Sequence, residues 1–105
     1  MARLDKLQDL LALDPADSFT RYAIGLEFAI TENYAEAIRT LEELRKLDPS
    51  YVPTYYMLGG YYRQTGDNER AKLIYQEGIV MARAASDRHA MGELQAALGE
   101  IDVDP

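Results

Sequence analysis

The chain has 105 residues, with 18 Asp and Glu against 11 Lys and Arg and a formal net charge of −7, and its length suits one domain better than two. It contains no Cys and a single His, His89, which excludes disulfides, thiolate metal sites and a multi-histidine metal site within one chain. The negative charge disfavours nucleic acid and anionic membrane surfaces as partners. No apolar run approaches the roughly 20 residues of a membrane span.

The N-terminal residues are charged and lack the apolar stretch of a secretory signal. We therefore expect a cytoplasmic protein. Hydrophobic residues make up 48% of the chain, which is close to the globular average and indicates a folded domain.

The first half of the chain predicts three helices. Residues 19–30 are apolar almost throughout and predict one of them. Asn33 supplies an N-cap for the next, with Glu36 three residues later as its capping-box partner. That helix should stop at the Asp-Pro-Ser sequence at 48–50, because proline disfavours the helical state of the residue before it. The third helix of this half, over 3–15, is predicted from a sequence repeat that is described below.

Two longer helices follow in the second half, over about 51–65 and about 68–84. Gly66 between them is the expected left-handed residue at the end of the first, and Asp67 is the expected N-cap of the second.

A last helix is predicted over 87–101, with Ser86 as its cap and a tail at 102–105. No stretch alternates apolar and polar residues with period two between turn residues. The predicted fold class is therefore all-α, with about six helices.

A shift of 34 residues superimposes one part of the chain on another. The identical pairs are Thr20 with Thr54, Tyr22 with Tyr56, Gly25 with Gly59, Thr31 with Thr65, Ala37 with Ala71 and Glu43 with Glu77. The same shift carries the Leu-x-x-Leu-x-x-Leu-Asp-Pro sequence at 7–15 onto the one at 41–49. A period of this length indicates a repeat architecture of helix pairs.

These residues resemble the tetratricopeptide repeat (TPR) family, whose helix A has an aromatic-x-x-Leu-Gly-x-x-Tyr pattern and whose helix B carries small and aromatic residues. The second repeat matches through Tyr55, Leu58, Gly59, Tyr62, Gly66, Ala71, Tyr75 and Gly78. The first is looser and matches through Ile24, Gly25, Phe28, Ala37, Leu41, Leu44 and Pro49. Departures from the pattern are Arg21 for an aromatic residue, Glu32 for the turn glycine and Arg83 for proline.

The resemblance implies one domain over 1–105, built as a right-handed α-solenoid of antiparallel helix pairs. Its parts would be a helix-B half-repeat at 3–15, full repeats at 18–51 and 52–85, a capping helix at 87–101 and the tail at 102–105. Small residues let paired helices approach closely, so we expect Gly25 and Gly59 where helix A meets helix B. Ala37 and Ala71 should face these glycines.

The resemblance also implies a ligand site, because partners of the family usually lie along the concave surface of the A helices. The corresponding groove residues are Phe19, Tyr22, Leu26, Ala29 and Ile30 from the first repeat, and Pro53, Tyr56, Gly60, Arg63 and Gln64 from the second. We expect this groove to be apolar, aromatic and nearly free of charge. It would take a protein or peptide that is apolar or aromatic and carries a basic group.

Some members of the family bind acidic C-terminal peptides through Lys, Asn and Arg side chains in this groove. The only cations near these positions here are Arg21 and Arg63, so we do not expect such peptides to bind.

The segment at 19–30 is apolar on two sides, and three explanations compete. It binds a partner, it is buried in a homodimer, or it lost a neighbouring helix, since the sequence begins at a segment resembling helix B. No catalytic, cofactor or metal constellation accompanies it, and His89 is expected to be exposed. The predicted function is a non-catalytic protein–protein interaction module, and the alternative is a homo-oligomerising structural unit that uses the same face.

Overall fold

The computed structural model describes residues 2–103 of the chain, and the side chains of residues 3–101. Within this range the chain forms six α-helices and no strand. They are α1 (Ala2–Leu13), α2 (Ser18–Ile30), α3 (Tyr34–Leu47), α4 (Pro53–Gln64), α5 (Asn68–Ala84) and α6 (Arg88–Val103). The all-α, helical-repeat fold class is therefore confirmed. None of these described helices has the length and apolar character needed to cross a membrane.

The helices fall into two compact units, Met1–Tyr51 and Val52–Pro105. In the first unit, α2 packs against both α1 and α3. In the second, α5 packs against both α4 and α6, and α6 also contacts α4. Each unit therefore contains one full helix pair and one additional helix.

Two predicted helix caps are confirmed. The Glu36 N–H donates to Asn33 Oδ1 at 3.4 Å, and the Arg70 N–H donates to Asp67 Oδ1 at 3.1 Å. The reciprocal bond of the capping box is not made, because the Glu36 carboxylate accepts from Arg39 instead. The backbone N–H of Asn33 is already engaged in the turn that precedes the helix.

That turn occurs three times in the described chain. Glu32, Gly66 and Ser86 adopt the left-handed conformation, with φ of 61°, 86° and 57°. The residue after each one donates its N–H to the carbonyl five positions earlier, in the pairs Asn33–Phe28 (3.0 Å), Asp67–Tyr62 (2.8 Å) and Asp87–Ala82 (2.8 Å). These are the bonds of a Schellman motif, which satisfies carbonyls left free at a helix end.

The predicted capping role of Ser86 is wrong. Ser86 is the left-handed residue of the third turn, and an N-cap residue has a different, extended backbone. Asp87 caps α6 instead, since the Ala90 N–H donates to Asp87 Oδ1 at 3.0 Å. The helix continues to Val103, beyond its predicted end, and residues 104 and 105 of the predicted tail lie outside the described residues.

Close contact between paired helices repeats with the 34-residue period. A Cβ added to Gly25 would lie 2.6 Å from Leu41 Cδ2, and one added to Gly59 would lie 2.7 Å from Tyr75 Cδ1. The nearest side chains are therefore those of Leu41 and Tyr75, while Ala37 meets Gly25 through its carbonyl oxygen, 3.7 Å from the added Cβ. The reason is reach, because a long side chain on helix B extends into the space that glycine leaves open. Both alanines are nevertheless fully buried.

Two equivalent threonines differ in their hydrogen bonding. The Thr20 hydroxyl donates to Asp17 Oδ2 at 2.6 Å. Thr54 is completely buried, and its hydroxyl has no partner among the described residues. The position equivalent to Asp17 is Tyr51, so the acceptor that serves the first repeat is absent from the same sequence position in the second.

The left-handed turn predicts opposite effects for one substitution at two glycines. Gly66→Ala should cost about 1 kcal/mol, because a Cβ disfavours the left-handed conformation. An added Cβ there meets no atom within 4 Å, so packing does not contribute. Gly92→Ala in α6, which is equally open, should stabilise by up to about 1 kcal/mol through helix propensity. Urea unfolding followed by far-UV circular dichroism measures both.

The same turn predicts that Glu32→Gly and Ser86→Gly stabilise the protein by about 0.5–1 kcal/mol each, because they relieve left-handed strain. The conformational account would be contradicted if Gly66→Ala were as stable as the parent. It would also be contradicted if Gly66→Ala and Gly92→Ala both lost stability.

The threonine pair gives a second matched test. Thr54→Val should leave stability unchanged or raise it by about 1 kcal/mol, because it removes an unpaired buried hydroxyl without changing shape. Thr20→Val should lower stability by about 0.5–1.5 kcal/mol, because it breaks the bond to Asp17. Thermal unfolding of the two variants under identical conditions measures the difference, and equal losses would argue against the assigned hydrogen bonding.

Candidate functional site

The first set of predicted site residues lies on α2 and is called the α2 face, comprising Phe19, Tyr22, Leu26 and Ile30. Phe19 is 66% exposed and Ile30 71% exposed, which is unusual for side chains of this size. Tyr22 and Leu26 are half-buried. The Tyr22 ring meets the Tyr51 ring edge-on, with centroids 5.8 Å apart. Tyr22 therefore contributes to packing within its unit as well as to the face.

Most of the second set comes together in one hollow. Tyr56, Gly60, Arg63 and Gln64 line a space of about 480 Å³ whose walls are α4, α5 and α6. Pro53 lies exposed in the first turn of α4 and is not part of its lining. We call this space the α4 hollow. Its volume is in the range of pockets that hold small ligands or single side chains.

Four further residues complete the lining, and sequence reasoning did not assign them to the site. They are Asn68 and Tyr75 of α5, and Ala97 and Glu100 of α6. Tyr75 was recognised only as a packing residue of helix B. Glu100 lies 37 residues after Arg63 in the sequence, and only the packing of α6 against α4 and α5 brings it here.

The α4 hollow contains an ion pair, so the expectation of a nearly charge-free groove is wrong for this repeat. Arg63 Nη1 donates to Glu100 Oε1 at 2.9 Å. The Arg63 side chain is 29% exposed, whereas that of Glu100 is 68% exposed. The bond to Glu100 raises the pKa of the Arg63 guanidinium, with a smaller contribution from the Tyr75 hydroxyl. Arg63 is therefore a permanent cation beside a carboxylate.

The Tyr75 hydroxyl reaches the hollow from the core of the unit. The side chain is 2% exposed, and its ring packs against Gly59. A tyrosine hydroxyl carries its proton at neutral pH, and burial raises the pKa of Tyr75 above its ordinary value. A Cβ added to Gly60 would lie 3.9 Å from the hydroxyl oxygen. With no side chain at Gly60 to cover it, the hydroxyl forms part of the wall of the hollow.

The two repeats place different chemistry at equivalent positions. Tyr22, Leu26, Ala29 and Ile30 of α2 correspond to Tyr56, Gly60, Arg63 and Gln64 of α4 under the 34-residue shift. Apart from Tyr22, the first set is apolar. Apart from Gly60, the second set is polar. Leu26 occupies the position at which Gly60 leaves space, so the same backbone offers an apolar surface in one repeat and a polar hollow in the other.

A second hollow of about 440 Å³ lies in the first unit. Pro15, Ala16, Leu44 and Leu47 are among the residues that line it. At its edge the Ser18 hydroxyl donates to Asp48 Oδ2 at 2.6 Å. None of the predicted site residues contributes to this space.

The single histidine lies on the last helix of the described chain. His89 is exposed as expected, and its Nε2 lies 3.6 Å from Glu93 Oε2 on the same helix. Among the described residues, no group of three or more His, Asp or Glu side chains could hold a metal ion.

Comparison with known proteins shows what the chain is similar to. A family model described as tetratricopeptide repeat matches residues 52–84. The crystal structure of a tetratricopeptide repeat domain protein from Salinibacter ruber is 37% identical, with a TM-score of 0.78, and the match covers 82% of this chain and 96% of that one.

Two further similarities are with a translocator chaperone and with a subunit of a much longer curated relative. The type III secretion translocator chaperone SycD of Yersinia enterocolitica has the same fold, with a TM-score of 0.86 at 16% identity over 95% of this chain and 70% of that one. Anaphase-promoting complex subunit 3 of Dictyostelium discoideum is 26% identical over 65% of this chain. The chain spans only 7% of the length of that curated relative.

The recurring turn, the glycine contacts at equivalent positions and the match along nearly all of the Salinibacter ruber domain agree with one another. The chain belongs to the tetratricopeptide repeat family.

Proposed function

We propose that the protein is a non-catalytic protein–protein interaction module of the cytoplasm, and that the A helices of its two repeats supply the contact surfaces. The observation that supports this most strongly is the α4 hollow. Four residues that the family resemblance implies for ligand contact line one open space, and the Tyr75 hydroxyl group lies in its wall.

The α2 face supports the same proposal. Phe19 and Ile30 expose most of their apolar surface, and burial of such side chains against a partner is favourable by about 1.5–3 kcal/mol each. The preferred partner segment is apolar or aromatic. The net charge of −7 favours basic residues flanking that segment, because opposite charge accelerates encounter.

Homo-oligomerisation is the second candidate, and the exposure of the α2 face is the observation that favours it. A second copy would bury the same side chains as a partner peptide. The two functions therefore differ in the state of the free protein, which is monomeric in the first and concentration-dependent in the second.

The α4 hollow can be tested by filling it. Gly60→Leu places in the second repeat the side chain that Leu26 has in the first, and it should raise helix stability by up to about 1 kcal/mol. It should also weaken binding of a peptide selected from a phage-displayed random library against the parent protein, by about tenfold. Calorimetry of the purified protein with the synthetic peptide measures the loss.

Gly92→Leu is the matched control, because Gly92 lies on α6 with open space around it and does not line the hollow. It should bind the peptide as the parent does. Because Gly60→Leu is expected to be at least as stable as the parent, unfolding cannot explain lost binding. Unchanged affinity of Gly60→Leu would refute the role of the hollow.

The α2 face is tested with the double variant Phe19→Asp and Ile30→Asp. Both side chains are exposed, so helicity should be retained, and peptide affinity should fall by about tenfold. The control is Leu73→Asp with Val80→Asp on α5, which removes apolar side chains of comparable exposure, 64% and 54%.

Sedimentation velocity at two concentrations separates the two candidate functions. The proposal expects a monomer for the parent and both double variants. A parent that dimerises, together with a Phe19→Asp and Ile30→Asp variant that remains monomeric, would replace partner binding with self-assembly.

A further inference from the structure

We propose that the α4 hollow is specific for an uncharged side chain with a neighbouring donor and acceptor, the carboxamide of Asn or Gln, and that the Arg63–Glu100 pair imposes this choice. This inference rests on the proposed function, because it specifies what one part of the bound partner must be.

The hollow holds one positive and one negative side chain. Among the described residues that line it, Arg63 is the only cation and Glu100 the only anion. Their 2.9 Å bond makes the lining neutral in sum. A ligand carboxylate that approaches Arg63 meets Glu100, and a ligand ammonium that approaches Glu100 meets Arg63. Either ligand must break the existing pair or accept a like charge at close range, which is the usual way in which an interface rejects a wrong partner.

The remaining hydrogen-bonding capacity points to a neutral group. The Arg63 guanidinium has five N–H donors, more than its bonds to the Glu100 carboxylate and the Tyr75 hydroxyl require. Glu100 contacts Arg63 through Oε1, which leaves Oε2 as an acceptor. The Tyr56 hydroxyl and the amides of Gln64 and Asn68 add donors and acceptors. A carboxamide can accept from Arg63 and donate to Glu100 at the same time, and the ion pair stays intact.

The shape of the hollow agrees with this assignment. The Tyr75 hydroxyl lies in the wall of the hollow beside Gly60, and a tyrosine hydroxyl carries its proton at neutral pH. Since its neighbour Arg63 is a donor only, the hydroxyl keeps its own proton available for a ligand oxygen. An apolar side chain of the same size would leave these polar groups without partners after water is displaced, which is unfavourable.

The test compares selections of phage-displayed random peptides on four proteins. They are the parent, Glu100→Gln, Arg63→Gln and the control Glu93→Gln, which removes one acidic group from the exposed part of α6 outside the hollow. Each selected peptide is scanned with alanine for binding to the parent and to the Gly60→Leu protein. The anchor is the peptide residue whose substitution weakens binding to the parent but does not change binding to Gly60→Leu. Affinities are then measured for peptides with Gln, Glu or Lys at that anchor.

The parent and Glu93→Gln should prefer the Gln anchor over Glu and Lys by about tenfold. Glu100→Gln leaves Arg63 unpaired and should shift the preference toward Glu by about tenfold, whereas Arg63→Gln should shift it toward Lys by a similar factor. Opposite shifts in the two variants are the signature of a pair that acts by charge.

Two failures are distinguishable. If the parent selects peptides that require an open Gly60, and the anchor is charged or its preference is the same in all four proteins, the carboxamide assignment is overturned and the proposed function stands. If no protein selects any peptide, the proposed function falls, and this inference falls with it.

Discussion

The close approach of paired helices through Gly25 and Gly59 is the constraint on which the rest of the structure depends. In each repeat one glycine of helix A accepts a large side chain of helix B, Leu41 in the first and Tyr75 in the second. A Cβ at either position would overlap that side chain. Because protein cores are tightly packed, the identity of the inserted side chain determines how each helix pair is filled.

Tyr75 connects this packing constraint to the candidate site. Its ring fills the space beside Gly59, and its hydroxyl ends beside Gly60 at the α4 hollow. Leu41 meets the same packing requirement in the first repeat but has no polar atom to present. The difference between an apolar face in one repeat and a polar hollow in the other therefore begins in the core, and the pairs Leu26–Gly60 and Ile30–Gln64 extend it to the surface.

Local signals made the helices predictable from the sequence. The caps at Asn33 and Asp67 and the left-handed residue Gly66 were recognised because each depends on a few neighbouring residues. Ser86 was misread because serine is common as an N-cap and rare in the left-handed conformation. Only the bond of Asp87 to Ala82 and the φ of 57° reveal its role.

The site was predictable only where it follows the repeat. Positions 56, 60, 63 and 64 follow from the 34-residue period, and the structure gathers them in one hollow. Glu100 was not found in this way, because α6 was expected only to cap the stack and none of its positions was assigned to the groove, and its pairing with Arg63 arises from tertiary packing. The structure was therefore needed to show that the hollow is polar and that the charges of its lining side chains sum to zero.

Binding of partners at the α4 hollow can be followed by nuclear magnetic resonance. A selected peptide is titrated into the ¹⁵N-labelled protein, and backbone amide shifts are followed residue by residue. We expect the largest changes at Gly60, Arg63 and Gln64. Little change is expected at Leu73 and Val80, which are exposed on α5 and do not line the hollow. Saturable shifts centred on Leu73 and Val80, with the amides of the hollow unchanged, would contradict binding at the hollow.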